Sequence, residues 1–219
     1  MQKLIFDLGF HNGDSSLSYL KKGFKVIGVE CNPNLKTHNN EEYEKYIADG
    51  YLTLLDYCIS DKDNEIIPFY ISTCSVWCSA NINIAERFND SEQIEVETIT
   101  LSSLIDNYGC PDYCKIDIEG NDVLAVRSLK DAENIPNYIS VEAECLGKNE
   151  AVTVNLVDEL YNVGYKEFFF VRQSPGYNMF FDFNEEYEWL SYDDAKKQLI
   201  ELQEEKWDWG VWADIYAKK

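Results

Sequence analysis

The sequence predicts an α/β fold, a parallel sheet with helices on its faces, and three observations carry that prediction. A short apolar run from Leu4 to Asp7 enters a glycine-punctuated turn, then a helix, then a second apolar run that ends at Glu30. The strand–helix alternation resumes at Tyr113. Glycines stand where helices should stop, at Gly23 and Gly164. Strands that alternate with helices pair in parallel, because a crossover helix returns the chain to the same end of the sheet.

Each element follows from local chemistry. Leu4 to Asp7 reads as a short buried strand. Gly9 to Gly13 is the turn, and Ser15 to Lys22 is a helix with Leu17 and Leu20 on one side and lysines near its end. Lys25 to Glu30 is the second strand, ended by Asn32-Pro33-Asn34, and a polar helix follows through about Ile47. Tyr51 to Ile59 reads as a third strand and Ile66 to Ile71 as part of a side hairpin. Ile94 to Thr100 is extended and Leu101 to Tyr108 helical. Tyr113 to Ile118 is a strand, Val123 to Leu129 a helix, Tyr138 to Glu142 a strand and Ala151 to Val163 a helix. Tyr165 to Arg172 is a strand, Asp193 to Lys206 has helical spacing, and Trp212 to Ala217 is a last strand.

A chain of 219 residues with 45% hydrophobic content supports one domain with a sizeable core. We therefore expect residues 1–219 to form a single domain. No apolar run is long enough for a bilayer span, and the N-terminus reads as a core strand instead of a signal peptide, so a soluble, cytoplasmic protein is expected. There are 19 Lys plus Arg against 40 Asp plus Glu, for a net charge of −21. That surface repels phosphate backbones and anionic lipid, which argues against nucleic-acid and membrane partners. Seven cysteines without a secretory signal are expected as free thiols. The Cys74/Cys78 and Cys110/Cys114 spacings fit buried small residues better than zinc.

The opening stretch, "LIFDLGFHNGDSSLSYLKKGFKVIGVECNP", has the layout of a nucleoside site. Ligands of open parallel sheets bind outside the carboxyl ends of the strands. Gly9 and Gly13 let backbone approach a ligand, and the amides at Ser15 and Ser16 favour a negative group. Glu30 stands where an acid accepts hydrogen bonds from a ribose. The glycine spacing is G-x-x-x-G where a dinucleotide site has G-x-G-x-x-G, and a Walker A lysine is missing. Asp7 at the end of the first strand would oppose a pyrophosphate and suits a cationic ligand. S-adenosylmethionine (SAM) has an ammonium, a sulfonium, a carboxylate and a ribose diol to match these groups. The plainer alternative makes Asp7 a turn cap and leaves Glu30 in solvent.

A second ligand-facing loop, "YCKIDIEGND", runs from Tyr113 to Asp122. With it, the chain resembles the FkbM family of class I SAM-dependent methyltransferases. The matching pieces are "FDLGFHNGD" with "GVECNP", "LDYCISDKDNEIIPFYIS", "VETITLSSLI", and "CKIDIEGND" with "ISVE". They lie in the family's order between about Leu4 and Glu142, and "KIDIEG" is the most specific.

The resemblance implies a Rossmann-like three-layer sandwich with a seven-stranded, mostly parallel sheet in the order 3-2-1-4-5-7-6. It also implies methyl transfer from SAM, usually to a hydroxyl oxygen. Asp7, Gly9, Asn12, Gly13 and Ser16 fall on the motif that holds the methionine part, with His11 in the same turn. Glu30 falls on the ribose acid, with Cys31 and Asn32 beside it near adenine. Cys58, Ile59 and Ser60 fall on the loop that borders adenine, and Asp117 and Glu119 on the loop near the methyl group. Phe10 and His11 replace small residues of the family, and Asp122 stands where the family's pattern has a glutamate. From about Asn149 onward no specific match remains.

Methyl transfer needs an aligned acceptor and, for a hydroxyl, a base. Asp117 and Glu119 are the favoured bases and Glu142 is next; Glu144 and His11 complete the candidates. Asp117 has the alternative role of binding the SAM ammonium, and His11 that of a packed ring. Hard oxygen ligands at Asp117, Glu119 and Glu142 suit magnesium, but the spacing does not support a metal and none is assigned. The aromatic-rich segment 173–210, with Tyr177 and Trp189, is expected as an acceptor-binding lid before the last strand. Rings and carboxylates suit a sugar. The alternative for this segment is core packing or a homodimer interface. Trp77, in "CSVWCSAN", is expected near the pocket. The leading expectation is an O-methyltransferase acting on a carbohydrate hydroxyl. Its rivals are a methyltransferase of another natural product, a non-catalytic binding module and a nicotinamide oxidoreductase.

Overall fold

In a computed structural model of the chain, which describes residues 2–35, 41–87, 90–146, 150–173, 180–204 and 211–219, the opening apolar run becomes β1 (Leu4–Leu8). Ile5, Phe6 and Leu8 are fully buried. The chain divides into two compact units, Met1–Pro136 and Asn137–Lys219.

In the first unit β1 leads into α1 (Asp14–Lys21), β2 (Lys25–Val29), α2 (Glu41–Ala48) and β3 (Leu52–Leu55). Next come β4 (Cys58–Ser60), β5 (Ile66–Ser72), α3 (Ile82–Ala85), β6 (Ser91–Thr100), α4 (Leu101–Tyr108), β7 (Tyr113–Ile116) and α5 (Asp122–Ser128). Four strands pair in parallel in the order β3-β2-β1-β7. This is the expected 3-2-1-4 run, and it puts β1 between two partners. Strands buried on both sides read as near-continuous apolar runs, which is why β1, β2 and β7 were legible. The helix α4 starts where Thr100 Oγ1 accepts the amide of Ser103 at 3.0 Å, and it buries Leu101, Leu104 and Ile105. On α1 the buried residues are Ser16, Tyr19 and Leu20, so the inward face is offset from the expected Leu17–Leu20 side.

The expected third strand from Tyr51 to Ile59 is two strands. After β3 the chain turns through Asp56 and Tyr57, and Cys58–Ser60 pairs in parallel with Thr98–Thr100 of β6. The same β6 pairs antiparallel with β5, so the side element is a three-stranded sheet in the order β4-β6-β5. Cys58, Phe69 and Cys78 form its core, packed by Cys31, Ile67, Ile71 and Val96.

The second unit comprises β8 (Tyr138–Leu146), α6 (Glu150–Val163), β9 (Glu167–Arg172), β10 (Leu190–Ser191), α7 (Tyr192–Glu204) and β11 (Val211–Lys218). β11 lies antiparallel between β8 and β9, which is the expected 5-7-6 run. β10 adds one strand beyond it, outside β9, so the two runs hold eight strands where seven were expected. Two residues of strand carry no period that a sequence reading detects. None of the helices among the described residues is long and apolar enough to cross a membrane.

The described part of the aromatic segment packs inside this unit. Phe169, on β9, stacks on Tyr187 at 4.6 Å and on Tyr216 at 4.5 Å. Phe181 lies 4.8 Å from Tyr138, and Trp189 lies 4.8 Å from Phe169 with the Lys218 ammonium 4.5 Å from its ring. Tyr138 begins β8, Glu167 begins β9 and Lys218 ends the antiparallel β11. The cluster therefore covers the amino ends of β8 and β9.

One glycine constrains the first unit most. Gly9 follows β1 with φ at +84°, and a Cβ there would lie 1.8 Å from the Asp117 carbonyl oxygen. The turn and the end of β7 are in backbone contact, and only a residue without a side chain fits. Gly50 also has positive φ, at +74°, but faces open space. Gly9→Ala is expected to lower stability by about 3 kcal/mol or more, against about 1 kcal/mol for Gly50→Ala. Urea unfolding of the two variants measures the difference.

Candidate active site

The carboxyl ends of β1, β2 and β7 form one edge of the first unit's sheet. The turn after β1 is drawn onto β2, because the amides of Gly9 and Phe10 both donate to the Val29 carbonyl at 3.0 Å. Phe10 is 2% exposed and packs edge-on to Tyr43, with ring centroids 5.8 Å apart. Its ring fills the space beside Gly28 and Gly13. The bulky Phe10 side chain thus lies under the turn. Tyr43, whose phenol burial pushes up to about 12, stays protonated and donates to the Asn12 carbonyl at 3.0 Å. Asn12 donates to Asp14 at 2.8 Å. Gly13 caps α1, which leaves the first-turn amides without helical partners.

Glu30 is 8% exposed and grips this turn. Its Oε2 accepts the His11 amide and its Oε1 the Asn32 amide, each at 2.8 Å. Burial raises its pKa above the ordinary glutamate value, and the two amide bonds oppose that shift. A carboxylate offers about four lone-pair positions, so two bonds leave capacity for a ribose diol.

Beneath the turn, Asp7 is 1% exposed. Ser16 Oγ donates to its Oδ2 at 2.6 Å, and the Lys115 ammonium lies 3.7 Å from its Oδ1. Among the described residues, Oδ1 is buried without a hydrogen-bond partner. Burial raises the carboxyl's pKa, while Lys115 and Ser16 pull it back. Lys115 also donates to Asp117 Oδ2 at 2.9 Å. A chain of polar contacts thus runs from α1 through β1 and β7 to Asp117.

The loop after β7 carries Glu119 with φ at +53°, and the turn after β1 carries His11 at +49°. Left-handed backbone at a non-glycine residue is strained, and strain of this kind gathers at ligand sites. Ser79 Oγ donates to the Glu119 carbonyl at 2.5 Å, and Ser75 Oγ pairs with His11 Nε2 at 3.0 Å. The Cys74–Asn81 loop therefore touches both strained residues. Trp77 in that loop is half-buried, with the Arg87 guanidinium 4.9 Å above its ring. Asp122 accepts the Gly120 amide at 3.2 Å and supports the turn.

Cys31, Asn32 and Cys58 meet at the inner side of the β4-β6-β5 sheet. Asn32 donates to Cys78 Sγ at 3.2 Å. Burial, and next a shared hydrogen bond with Cys58, pushes the Cys31 thiol well up. Cys58, Ile59 and Ser60 are buried strand residues, and Asn121 Nδ2 donates to the Ile59 carbonyl at 3.3 Å, tying α5 to that strand. Cys31, Cys58, Cys74, Cys78, Cys110 and Cys114 are all free thiols.

In the second unit, Glu142 lies opposite Asp214 across β8 and β11, and Gln173 Nε2 donates to both, at 3.0 and 2.9 Å. Gln173 follows the last residue of β9, so this group is at the carboxyl end of that strand, opposite in the sheet to Trp189. Trp189, expected in an acceptor lid, packs on Phe169 at the amino end of β9. Tyr177 lies outside the described residues, with the rest of 174–179 and 205–210 of the expected lid. Sequence reasoning missed Lys115, Ser75, Ser79, Asn121, Gln173 and Asp214. Lys115 left a local signal: it is two residues before Asp117, the spacing that puts strand residues on one face.

Ser16→Ala removes the hydrogen bond to the ionised Asp7. A loss of about 1.5–3 kcal/mol is expected where Asp7 is charged, shrinking on acidification as Asp7 takes up its proton. Chemical unfolding at several pH values tests both parts.

The family model described as a methyltransferase FkbM domain matches residues 7–173, well over half of the chain. Among solved structures, the chain is similar to a precorrin-6y C5,15-methyltransferase from Geobacter metallireducens, at 14% identity and TM-score 0.45, covering 100% of this chain and 80% of that one. It is also similar to magnesium protoporphyrin IX methyltransferase from Synechocystis PCC 6803 with bound SAH, at 10% identity and TM-score 0.49, covering 100% and 74%. A SAM-dependent methyltransferase from Archaeoglobus fulgidus matches at 11% identity and TM-score 0.43, covering 100% and 86%. No curated protein matches significantly. The match from residue 7 to 173 takes in the glycine turn, Glu30 and the Asp117–Glu119 loop, and the chain belongs to the FkbM family of SAM-dependent methyltransferases.

Proposed function

We propose that the protein is an O-methyltransferase that modifies a hydroxyl of a carbohydrate, with SAM held at the carboxyl edge of β1 and β2. The observation that carries this reading is the acid-lined edge after β7. Asp117 and Glu119 follow that strand, one held by Lys115 and the other on a strained backbone next to the glycine turn. The residues fit the cofactor. Asp7, already facing the Lys115 ammonium, adds negative charge beneath the turn that suits a cationic ligand above it. Glu30 keeps acceptor capacity for a diol, and the α1 amides suit a carboxylate.

When bound, SAM supplies a methyl group on a sulfonium that is already a good leaving group. The chain's own task is to orient the acceptor, exclude water and receive its proton. Asp117 or Glu119 takes the hydroxyl proton in this reading. Glu142, clamped by Gln173, is the alternative base. Carboxylates at a strand mouth also accept hydrogen bonds from the other hydroxyls of a sugar, which supports the carbohydrate class. Trp77 remains the aromatic residue proposed for the acceptor side, on a loop that touches both His11 and Glu119. The family match runs through the division at residue 136, which supports one methyltransferase domain.

The test is methyl transfer from isotopically labelled SAM to a panel of sugars, nucleotide sugars and phenols, read by mass spectrometry. An O-methyl sugar is expected, and transfer only to nitrogen or to non-sugar acceptors would refute the carbohydrate assignment. Asp117→Asn or Glu119→Gln is expected to lower kcat by about a hundredfold to ten-thousandfold, whichever is the base. Glu30→Ala is expected to weaken SAM binding by about tenfold or more in calorimetry.

A further inference from the structure

We infer that Lys115 is a positioning residue that couples the cofactor turn to the acid-bearing loop after β7, by sharing its ammonium between Asp7 and Asp117. This rests on the reading that the cofactor lies at this edge. Three observations support it. The ammonium is 2.9 Å from Asp117 and 3.7 Å from Asp7, so one cation spans the ends of two adjacent strands. Asp7 is the innermost charge of the edge, and its second oxygen has no hydrogen-bond donor among the described residues. A buried carboxylate in that position needs a counter-charge. Finally, Asp117 stands on the backbone that Gly9 touches, so a shift of its loop reaches the turn directly.

The groups acting on Asp7 are Lys115 and Asp117 from β7 and its loop, and Ser16 from α1. Asp7 in turn acts on Cys114 of β7, Glu30 after β2 and Tyr43 of α2. Lys115 is the cation among them. Without it, Asp7 holds its proton to higher pH, because burial already favours the neutral acid. Asp117 then loses the contact that orients it.

The experiment compares the wild-type chain with Lys115→Met and Lys115→Arg, between about pH 5.5 and 9. Calorimetry measures SAM affinity, and thermal unfolding of the ligand-free chains measures stability. For Lys115→Met, binding is expected to weaken by about tenfold near neutrality, with the acid-side loss of affinity moved to higher pH. Lys115→Arg is expected to restore most of both. In the ligand-free arm, the stability deficit of Lys115→Met should grow as pH rises and Asp7 ionises. In an Asp7→Asn background that pH-dependent part should vanish. A Lys115→Met chain with the wild-type pH profile in both arms overturns the inference, as does a deficit that persists unchanged in the Asp7→Asn background. If wild-type chain binds no SAM, the site assignment fails, and the ligand-free arm still decides the role of Lys115.

Discussion

Placing a carboxylate in the interior of a sheet edge is the constraint around which the first unit is arranged. Asp7 is nearly inaccessible, and an unpaired charge there would be strongly unfavourable. Ser16 reaches down from α1 to one oxygen and Lys115 reaches across from β7 toward the other. Meeting the needs of one acid therefore fixes the helix that follows the turn and the strand on the far side. Parallel pairing of β1 with both β2 and β7 brings these groups to the same edge.

The glycine turn is held by the same economy of contacts. Backbone amides of Gly9 and Phe10 share one carbonyl on β2, and Glu30 takes the amides of His11 and Asn32. The acid expected only to meet a ribose also organises the loop that a ribose would approach. A turn held by such contacts is ordered without a ligand, and ordering of that kind reduces the entropy a ligand would cost. The strained backbone at His11 and Glu119 fits the same picture, since each is held by a serine of the Cys74–Asn81 loop.

The second unit shows how polar and apolar duties separate along a strand. The amino ends of β8 and β9 are covered by packed rings, with Phe169 stacked on Tyr187 and Trp189 edge-on to Phe169. The other end of β9 carries Gln173, which bridges Glu142 and Asp214. Aromatic rings close together gain by edge and stacked packing, whereas adjacent carboxylates need a donor between them. An aromatic-rich stretch is thus as consistent with a local core as with a binding surface, and the rings of its described part pack on one another.

Much of the architecture was readable in one dimension. The apolar runs of β1, β2 and β7 and the stop at Gly164 act within a few residues of chain, so spacing alone predicts them. The strand order and the family were carried by "FDLGFHNGD", "GVECNP" and "KIDIEG". What spacing could not show was partnership across the chain. The break between β3 and β4 depends on Cys58–Ser60 finding β6, about forty residues later. The side on which Trp189 packs depends on the register of β10 against β9. Lys115 becomes the counter-ion of Asp7 only because β7 returns beside β1, more than a hundred residues after it. Short-range chemistry is written in neighbouring residues, while charge pairing and packing depend on distances that only the folded chain sets.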